Sequence, residues 1–235
     1  MKMKRIFFKN SYQNYATVFS CQQSGEAVVI DPFRAGEVAH YLQTSGLTLK
    51  AVINTHRHAD HTGGNRALLE SWKCQVWAHP DADAPGQTHA IQDGNALYFG
   101  ATMVFKPKYT PGHTICSLCL EVNDTYLITG DTLFHLGCGN CKNGGDVNTL
   151  FHSFKNVLAS MPGHLVVLPG HDYRAANARF LKSLSMATGN DSTQEESILL
   201  SQERKRNPFL YLSDPKSDKY SREKFLEMRA LRDTW

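Results

Sequence analysis

Four short apolar runs along the chain each end in a group of polar residues. The runs at 51–53, 103–105, 126–129 and 165–168 contain β-branched residues and predict buried strands. Apolar residues at helical spacing predict helices at 64–72 and 149–161, the second with Asn148 as its N-cap. This alternation of strands and helices up to His171 predicts an α/β fold.

The pattern changes after His171. Helical spacing predicts an amphipathic helix at 175–186, a break at 188–192, a helix at 195–206 and a last helix at 221–232. We therefore divide the chain into a domain at 1–173 and a helical segment at 174–235. We expect the helical segment to form a wall or lid over any site at the strand ends.

The run at 51–53 leads into the most informative segment of the chain, Thr55-His56-Arg57-His58-Ala59-Asp60-His61. His56 and His58 alternate with Arg57, so in an extended loop both imidazoles can point the same way. Asp60 and His61 follow after a turn and could serve a second ion. Solvated loop histidines are the alternative, but imidazoles crowded in this way gain nothing without a cation. Imidazole with carboxylate suits zinc, iron or manganese, and the donor set alone does not choose among them.

The other three runs end in the same manner. Pro111-Gly112-His113 follows the second run, Gly130-Asp131 closes the third, and Pro169-Gly170-His171 ends the fourth. We expect one sheet to bring these strand ends together. The expected metal ligands are His56, His58, Asp60, His61, His113, Asp131 and His171.

The ordered set T-H-x-H-x-D-H, P-G-H, G-D and G-H resembles the metallo-β-lactamase superfamily. The resemblance implies an α/β fold, an αβ/βα sandwich with two metals at one edge of its two sheets. It also implies that His56, His58 and His113 hold one metal and that Asp60, His61 and His171 hold the other. Asp131 would bridge them. Two divalent ions are therefore expected, zinc first, with iron or manganese also possible.

The flanking motifs look like the glyoxalase II branch, the hydroxyacylglutathione hydrolases. They include Asn14-Tyr15, Asp31-Pro32, the segment 130–139 and R-N-P-F-L at 206–210. The resemblance spans almost the whole chain and implies a thioester hydrolase, in which a metal-bridging hydroxide attacks the carbonyl and Asp60 orients the water. A thiolate suits this chemistry because it leaves without a strong general acid.

Three residues are candidates for contact with the substrate. Tyr173 matches a substrate-contacting tyrosine of the branch, and Arg232 aligns with an arginine that binds the glutathione carboxylate. The branch typically has a basic residue at position 140 and an aromatic residue at 142, where this chain has Asn140 and Lys142. We hypothesise that Lys142 supplies the missing charge. The expected partner is a small thioester, derived from glutathione or a related thiol.

Two other functional classes are compatible with the motifs. A mononuclear iron persulfide dioxygenase of the same superfamily shares H-x-H-A-D-H and the closing His171-Asp172-Tyr173. The motif at 206–210 and the helical tail favour the hydrolase. A non-catalytic binding protein that retains the fold is the third class, and the intact ligand set argues against it.

Composition and charge argue against a nucleic-acid partner and a membrane span. A chain of 235 residues that is 41% hydrophobic can bury a large core. A net charge of +3 does not call for a nucleic-acid partner, and the basic run at 204–206 is more typical of a solvated face. The apolar runs are too short for a membrane span, and the amino terminus does not resemble a signal peptide, so a cytoplasmic location is expected.

The six cysteines do not form the pattern of a disulfide framework. Cys138-Gly139-Asn140-Cys141 is formally C-x-x-C, but a single pair is a weak signal for zinc or redox chemistry. We interpret it as a glycine-rich loop of the site.

Overall fold

The computed structural model describes residues 1–186 and 197–235 as two packed β-sheets with helices outside them. In spatial order, the first sheet contains β1 (Lys2–Phe7), β2 (Tyr15–Ser20), β3 (Glu26–Ile30), β4 (Thr48–Ile53), β5 (Gln75–Ala78) and β6 (His89–Ala90). The second contains β13 (Val166–Pro169), β10 (Tyr126–Gly130), β9 (Leu118–Val122), β8 (Met103–Tyr109) and β7 (Leu97–Phe99). A separate hairpin pairs β11 (Leu133–Phe134) with β12 (Gly137–Cys138).

Helices cover the outer faces of both sheets. Short 3₁₀ turns lie at Pro80–Ala82 and Leu158–Ser160. The helices are α1 (Ala35–Thr44), α2 (Ala59–Thr62), α3 (Asn65–Ser71), α4 (Val147–Asn156), α5 (Arg174–Ser183), α6 (Leu200–Arg206), α7 (Pro208–Ser213) and α8 (Arg222–Thr234).

Three buried clusters hold these layers together. Phe19, Ile53, Phe105 and Ile128 belong to the cluster between the sheets. A second cluster joins the first sheet to α1 and α3, and a third joins the second sheet to α4, α6, α7 and α8. Alternate residues of each strand enter different clusters because strand side chains point to opposite faces in turn. The αβ/βα sandwich expected from the sequence is confirmed.

The strand directions bring the polar groups to one edge. β3, β4 and β5 are parallel, while β8 and β10 each pair antiparallel with β9 and therefore run the same way as each other and as β13. The expectation that one sheet supplies all four strand ends is wrong, since β4 lies in the first sheet and β8, β10 and β13 in the second. The Leu118 N–H donates to the Thr55 carbonyl at 2.9 Å and joins the two sheets near this edge.

The expected alternation of strands and helices fails in the middle of the chain. Between α3 and α4 the structure has only strands and one 3₁₀ turn. Tight turns replace the helices there. Asn123 and Asp124, between β9 and β10, have φ of 49° and 50°, a left-handed conformation that Asn and Asp tolerate better than most residues.

The helix expected at 149–161 starts earlier and ends earlier. α4 begins at Val147, and its N-cap is Asp146, whose carboxylate accepts the Thr149 N–H at 2.7 Å. Asn148, the expected cap, lies inside the helix. The expected helix at 195–206 is described from Leu200 as α6, and the break expected at 188–192 lies outside the described residues.

Replacing Asp146 with alanine is expected to cost about 1 kcal/mol of stability at neutral pH, because an N-cap acceptor is lost. Hydrogen bonds from Thr149 lower the pKa of Asp146, so its contribution is present above the unfolded-state pKa and is lost as pH falls through the folded-state pKa. Urea unfolding at neutral and acidic pH measures this difference. Asn156→Ala, at the exposed end of α4, is the control, and an equal loss for Asp146→Ala at both pH values would contradict the assignment.

The helical segment shares a core with the second sheet. Leu200, Phe209 and Phe225 lie in one buried cluster with Leu127 of β10 and Val167 of β13. The boundary between 173 and 174 stays a prediction. Among the described helices, none combines the length and hydropathy needed to cross a membrane.

Candidate metal centre

The seven expected metal ligands lie close together, at or after the carboxyl ends of four strands. Five of them are buried and two, His58 and Asp60, are half-buried. His56 and His58 follow β4, Asp60 and His61 lie in α2, His113 follows β8, Asp131 follows β10, and His171 follows β13.

His56, His58 and His113 form a first cluster, in which one donor atom from each lies within 4.8 Å of the others. Nε2 of His56 is 3.1 Å from Nδ1 of His58, and Nε2 of His113 is 3.0 Å from that same Nδ1. Two residues that alternate along an extended loop thus direct their rings to one point, as the sequence predicts.

Asp60, His61 and His171 form a second cluster with the same limit of 4.8 Å. The Nε2 atoms of His61 and His171 are 3.0 Å apart. Asp131 lies between the clusters: its oxygens are 3.3 Å from His61 Nε2, 3.2 Å from His171 Nε2 and 3.6 Å from His113 Nε2.

In three histidines, one ring nitrogen is hydrogen-bonded to a main-chain carbonyl. We call this the outer nitrogen, and the nitrogen that faces the other expected ligands the inner one. His113 Nδ1 is 2.6 Å from the Asn140 oxygen, and His171 Nδ1 is 2.6 Å from the Tyr12 oxygen. His58 Nε2 is 3.2 Å from the oxygen of residue 143. A carbonyl only accepts, so each outer nitrogen carries the proton and each inner nitrogen is left with a lone pair.

Asp31 orders the other two histidines. Its carboxylate accepts the Thr55 N–H at 2.7 Å, the Thr55 hydroxyl at 2.6 Å and His61 Nδ1 at 3.0 Å. The Thr55 hydroxyl has given its only proton to Asp31, so it accepts from His56 Nδ1 at 3.1 Å. Asp31 also lies within reach of His56 and His61 as a third possible donor group, but its oxygens already accept three hydrogen bonds. We interpret it as a support for the two histidines.

The lone pairs on the inner ring nitrogens are suited to binding a cation. Asp131 Oδ1 is buried without a hydrogen-bond partner. Burial lowers the pKa of His56 and His113, which favours the neutral imidazole that metals bind. Burial opposes ionisation of Asp131, but His171 and His61 hold its pKa well below the usual range. Burial likewise opposes charge on His61, yet Asp131 and Asp31 raise its pKa, so this part of the site favours a positive charge at His61 Nε2, whether a proton or a metal ion supplies it.

Residues 12–171 match the family model of the Metallo-beta-lactamase superfamily. The chain belongs to this superfamily. A hydroxyacylglutathione hydrolase from Polaromonas sp. is 33% identical over 263 aligned positions, with 100% of both chains covered, so the chain belongs to the glyoxalase II branch. ETHE1 from Myxococcus xanthus has a TM-score of 0.77 at 27% identity, covering 98% of this chain and 90% of that one. TTHA1623 in a di-iron-bound form has a TM-score of 0.66 at 25% identity, covering 88% of this chain and 100% of that one.

A cavity of about 310 Å³ adjoins the second cluster of this metallo-beta-lactamase fold. Lys142, Tyr173 and Arg232, the three candidate substrate residues, all line it. Tyr173 stacks on His171 with ring centroids 4.8 Å apart and an interplanar angle of 5°. A larger groove of about 600 Å³ lies at the amino ends of β3 and β5. Because the metal donors lie at the carboxyl ends, the smaller cavity is the candidate substrate site.

The helical segment fixes the walls of this cavity. Arg232 Nε donates to Asn177 Oδ1 at 3.3 Å, and Lys142 Nζ donates to the Asp233 carbonyl at 2.9 Å. Arg229, which sequence reasoning missed, also lines the cavity and donates to the Cys138 carbonyl at 2.9 Å. Its position on α8, three residues before Arg232, is the sequence signal that could have indicated it.

The motif at 206–210 supports the wall of the cavity through the side-chain amide of Asn207. Asn207 is fully buried, and its Nδ2 donates to the Phe134 and Gly137 carbonyls at 3.0 Å. The Phe134 ring packs edge-on against His171 at 5.8 Å. His135, in the same hairpin, binds Glu203 of α6 at 3.0 Å.

The two cysteines of the C-x-x-C segment are free thiols, of which Cys138 lines the cavity and Cys141 packs against the core cluster of the second sheet. Burial raises the pKa of Cys138 to about 11 and that of Cys141 to about 12. Metal binding and thiol exchange both need thiolates. The interpretation as a glycine-rich site loop therefore agrees with the structure.

Replacing Asp31 with asparagine is expected to weaken metal binding by about 10–100-fold, because the amide cannot accept from both Thr55 and His61 as the carboxylate does. Competition with a fluorescent chelator measures the affinity. Asp218→Asn, on an exposed turn of the helical segment, is the matched control. Unchanged affinity in Asp31→Asn would remove Asp31 from the support of this site.

Proposed function

We propose that the protein hydrolyses hydroxyacylglutathione thioesters with two bound divalent metal ions. The observation that carries this proposal is the pair of donor clusters beside a cavity lined by cationic side chains. The full-length similarity to a hydroxyacylglutathione hydrolase supports it.

His56, His58 and His113 hold one metal in this proposal, and Asp60, His61 and His171 hold the other. Asp131 contributes to both. Zinc is the first expectation because histidine and carboxylate are among its usual ligands, and the di-iron form of TTHA1623 makes iron the second. Bound divalent ions would lower the pKa of a water and polarise the thioester carbonyl.

Asp60 is proposed to orient the attacking water. Its Oδ2 accepts a hydrogen bond from the Asn14 side-chain amide at 3.0 Å, and this bond fixes the carboxylate within the second cluster. The same amide donates to the Asp60 carbonyl at 3.1 Å. Two bonds from one buried side chain thus hold both the backbone and the carboxylate of Asp60, which reduces the entropy lost on reaching the reactive geometry.

Lys142, Tyr173 and Arg232 are proposed to bind the thiol part of the substrate. Glutathione carries two carboxylates, which complement Lys142 and Arg232. Burial raises the pKa of Tyr173, so its hydroxyl stays protonated and can donate to the substrate. The thiolate leaving group does not need a strong general acid.

Replacing Lys142 with alanine is expected to raise KM for a glutathione thioester about threefold and to leave kcat unchanged, since an exposed charge contact contributes uniform binding. Steady-state kinetics measure both constants. Lys73→Ala removes an exposed lysine beside the amino end of β5 and serves as the control. An unchanged KM for Lys142→Ala would remove Lys142 from the binding site.

The decisive experiment is hydrolysis of S-D-lactoylglutathione by protein purified with its native metals, with metal quantified in the same sample. Fast turnover with about two metals per chain, the count expected for a two-metal site, would support the proposal. A fully metallated protein without turnover would overturn the proposed substrate.

The second candidate is a mononuclear iron persulfide dioxygenase. The match to ETHE1 over 98% of this chain favours it, but at lower identity than the hydrolase relative. Iron near one per chain, together with oxygen uptake on a persulfide, would select this function. The cytoplasmic location stays a prediction, which cell fractionation would test.

A further inference from the structure

The loop at 139–145, between β12 and α4, contacts both the metal centre and the cavity. Its Asn140 carbonyl accepts from His113 at 2.6 Å, and the carbonyl of residue 143 accepts from His58 at 3.2 Å. Two of the three histidines of the first cluster therefore depend on this loop for their orientation. The third, His56, depends on Thr55.

The loop is also packed against the backbone of the metal centre. A Cβ on Gly139 would lie 2.0 Å from the Asp131 carbonyl oxygen and 2.9 Å from His113 Nδ1. A Cβ on Gly145 would lie 2.3 Å from the His113 carbonyl oxygen. Because this contact leaves no room even for a Cβ, the loop cannot shift toward these neighbours without displacing them.

Side chains of the same loop line the cavity. Asn140 and Lys142 both contribute to its wall. The Lys142 N–H donates to Asn140 Oδ1 at 3.0 Å, and Lys142 Nζ reaches the Asp233 carbonyl of α8. A ligand that binds Asn140 or Lys142 would therefore restrain the backbone that carries the two carbonyl acceptors.

We propose that the loop at 139–145 couples the cavity to the first metal cluster, so that an anionic ligand in the cavity tightens metal binding there. The coupling is reciprocal by thermodynamic necessity. Metal in the cluster fixes His113 and His58, which fix the loop and present Lys142 to the ligand. This inference rests on the proposed function for the identity of the metal site and the anionic ligand.

Hydrogen exchange of the full chain with and without Zn²⁺ tests the metal half of the coupling. Zn²⁺ is expected to slow exchange of the amides at 140–145 by about fivefold or more, the lower range of allosteric coupling. The exposed turn at 123–125, between β9 and β10, serves as the internal control and is expected to be unchanged. Unchanged exchange at 140–145 in zinc-loaded protein would overturn the proposal.

Chelator competition for Zn²⁺, with and without saturating S-methylglutathione, tests the ligand half. The thioether avoids the zinc-binding thiol of glutathione. We expect about fivefold tighter zinc binding with the ligand, and a smaller gain in Lys142→Ala than in Lys73→Ala. Binding of S-methylglutathione with no change in zinc affinity would overturn the coupling. Absence of its binding would count against the proposed substrate, and the exchange experiment would then decide the coupling by itself.

Discussion

Replacing Asp131 with asparagine is expected to lower thioester hydrolysis by at least about a thousandfold, which corresponds to about 4 kcal/mol of transition-state stabilisation. Asp131 approaches the inner nitrogens of both clusters, through His113 on one side and His61 and His171 on the other. Asparagine keeps the shape and removes the charge. Of the seven expected ligands, Asp60 would then be the remaining carboxylate.

Elemental analysis and steady-state kinetics on the same preparations check this expectation. Metal content should fall together with kcat, because Asp131 serves both clusters. Asp124→Asn is the matched control, since Asp124 lies on an exposed turn in a left-handed conformation that asparagine also adopts. An Asp131→Asn variant that retained two metals and wild-type turnover would contradict the bridging role.

The position of the metal donors could be predicted because the signal is local. A β-branched run followed directly by clustered histidines places those side chains at the end of a strand, whatever the rest of the chain does. His113, Asp131 and His171 follow their own strands in the same way. The division between two sheets was not predictable from these runs, because pairing depends on contacts that are distant in sequence.

The groups that orient the histidines were harder to predict. The acceptors from Tyr12, Asn140 and residue 143 are backbone carbonyls, so the side chain at those positions does not indicate the contact. Asp31 is a carboxylate immediately after β3, but only the parallel pairing of β3 with β4 brings it to Thr55, and that pairing joins strands that are distant in sequence.

Some residues of the cavity could be predicted from the sequence, and others could not. Tyr173 and Arg232 were indicated by resemblance, and both line it. Arg229 and Asn177 were not indicated, since their contacts depend on how α8 and α5 pack against the hairpin of β11 and β12. Helix propensity sets where such a helix forms, but tertiary packing decides which of its side chains reaches a site.

Replacing Gly112 with alanine is expected to destabilise the fold by about 3 kcal/mol and to weaken metal binding at the first cluster. Gly112 has a φ of 139°, and a Cβ there would lie 2.3 Å from the Cα and 2.4 Å from the N of Leu150. Those atoms belong to the backbone of α4, and the Leu150 side chain is fully buried. Neither can move aside as a flexible side chain would.

The clash would act on the metal centre because His113 is the next residue. The Gly112 carbonyl accepts the Asp146 N–H at 2.9 Å, so a displaced turn would also lose its link to the start of α4. Gly36→Ala is the matched control: it lies in α1 with open space around the added Cβ, and it should be neutral or stabilising by up to about 1 kcal/mol. Urea unfolding of the metal-free proteins and chelator competition separate the two effects. If Gly112→Ala matched Gly36→Ala in both measurements, the close approach of this turn to α4 would not constrain His113.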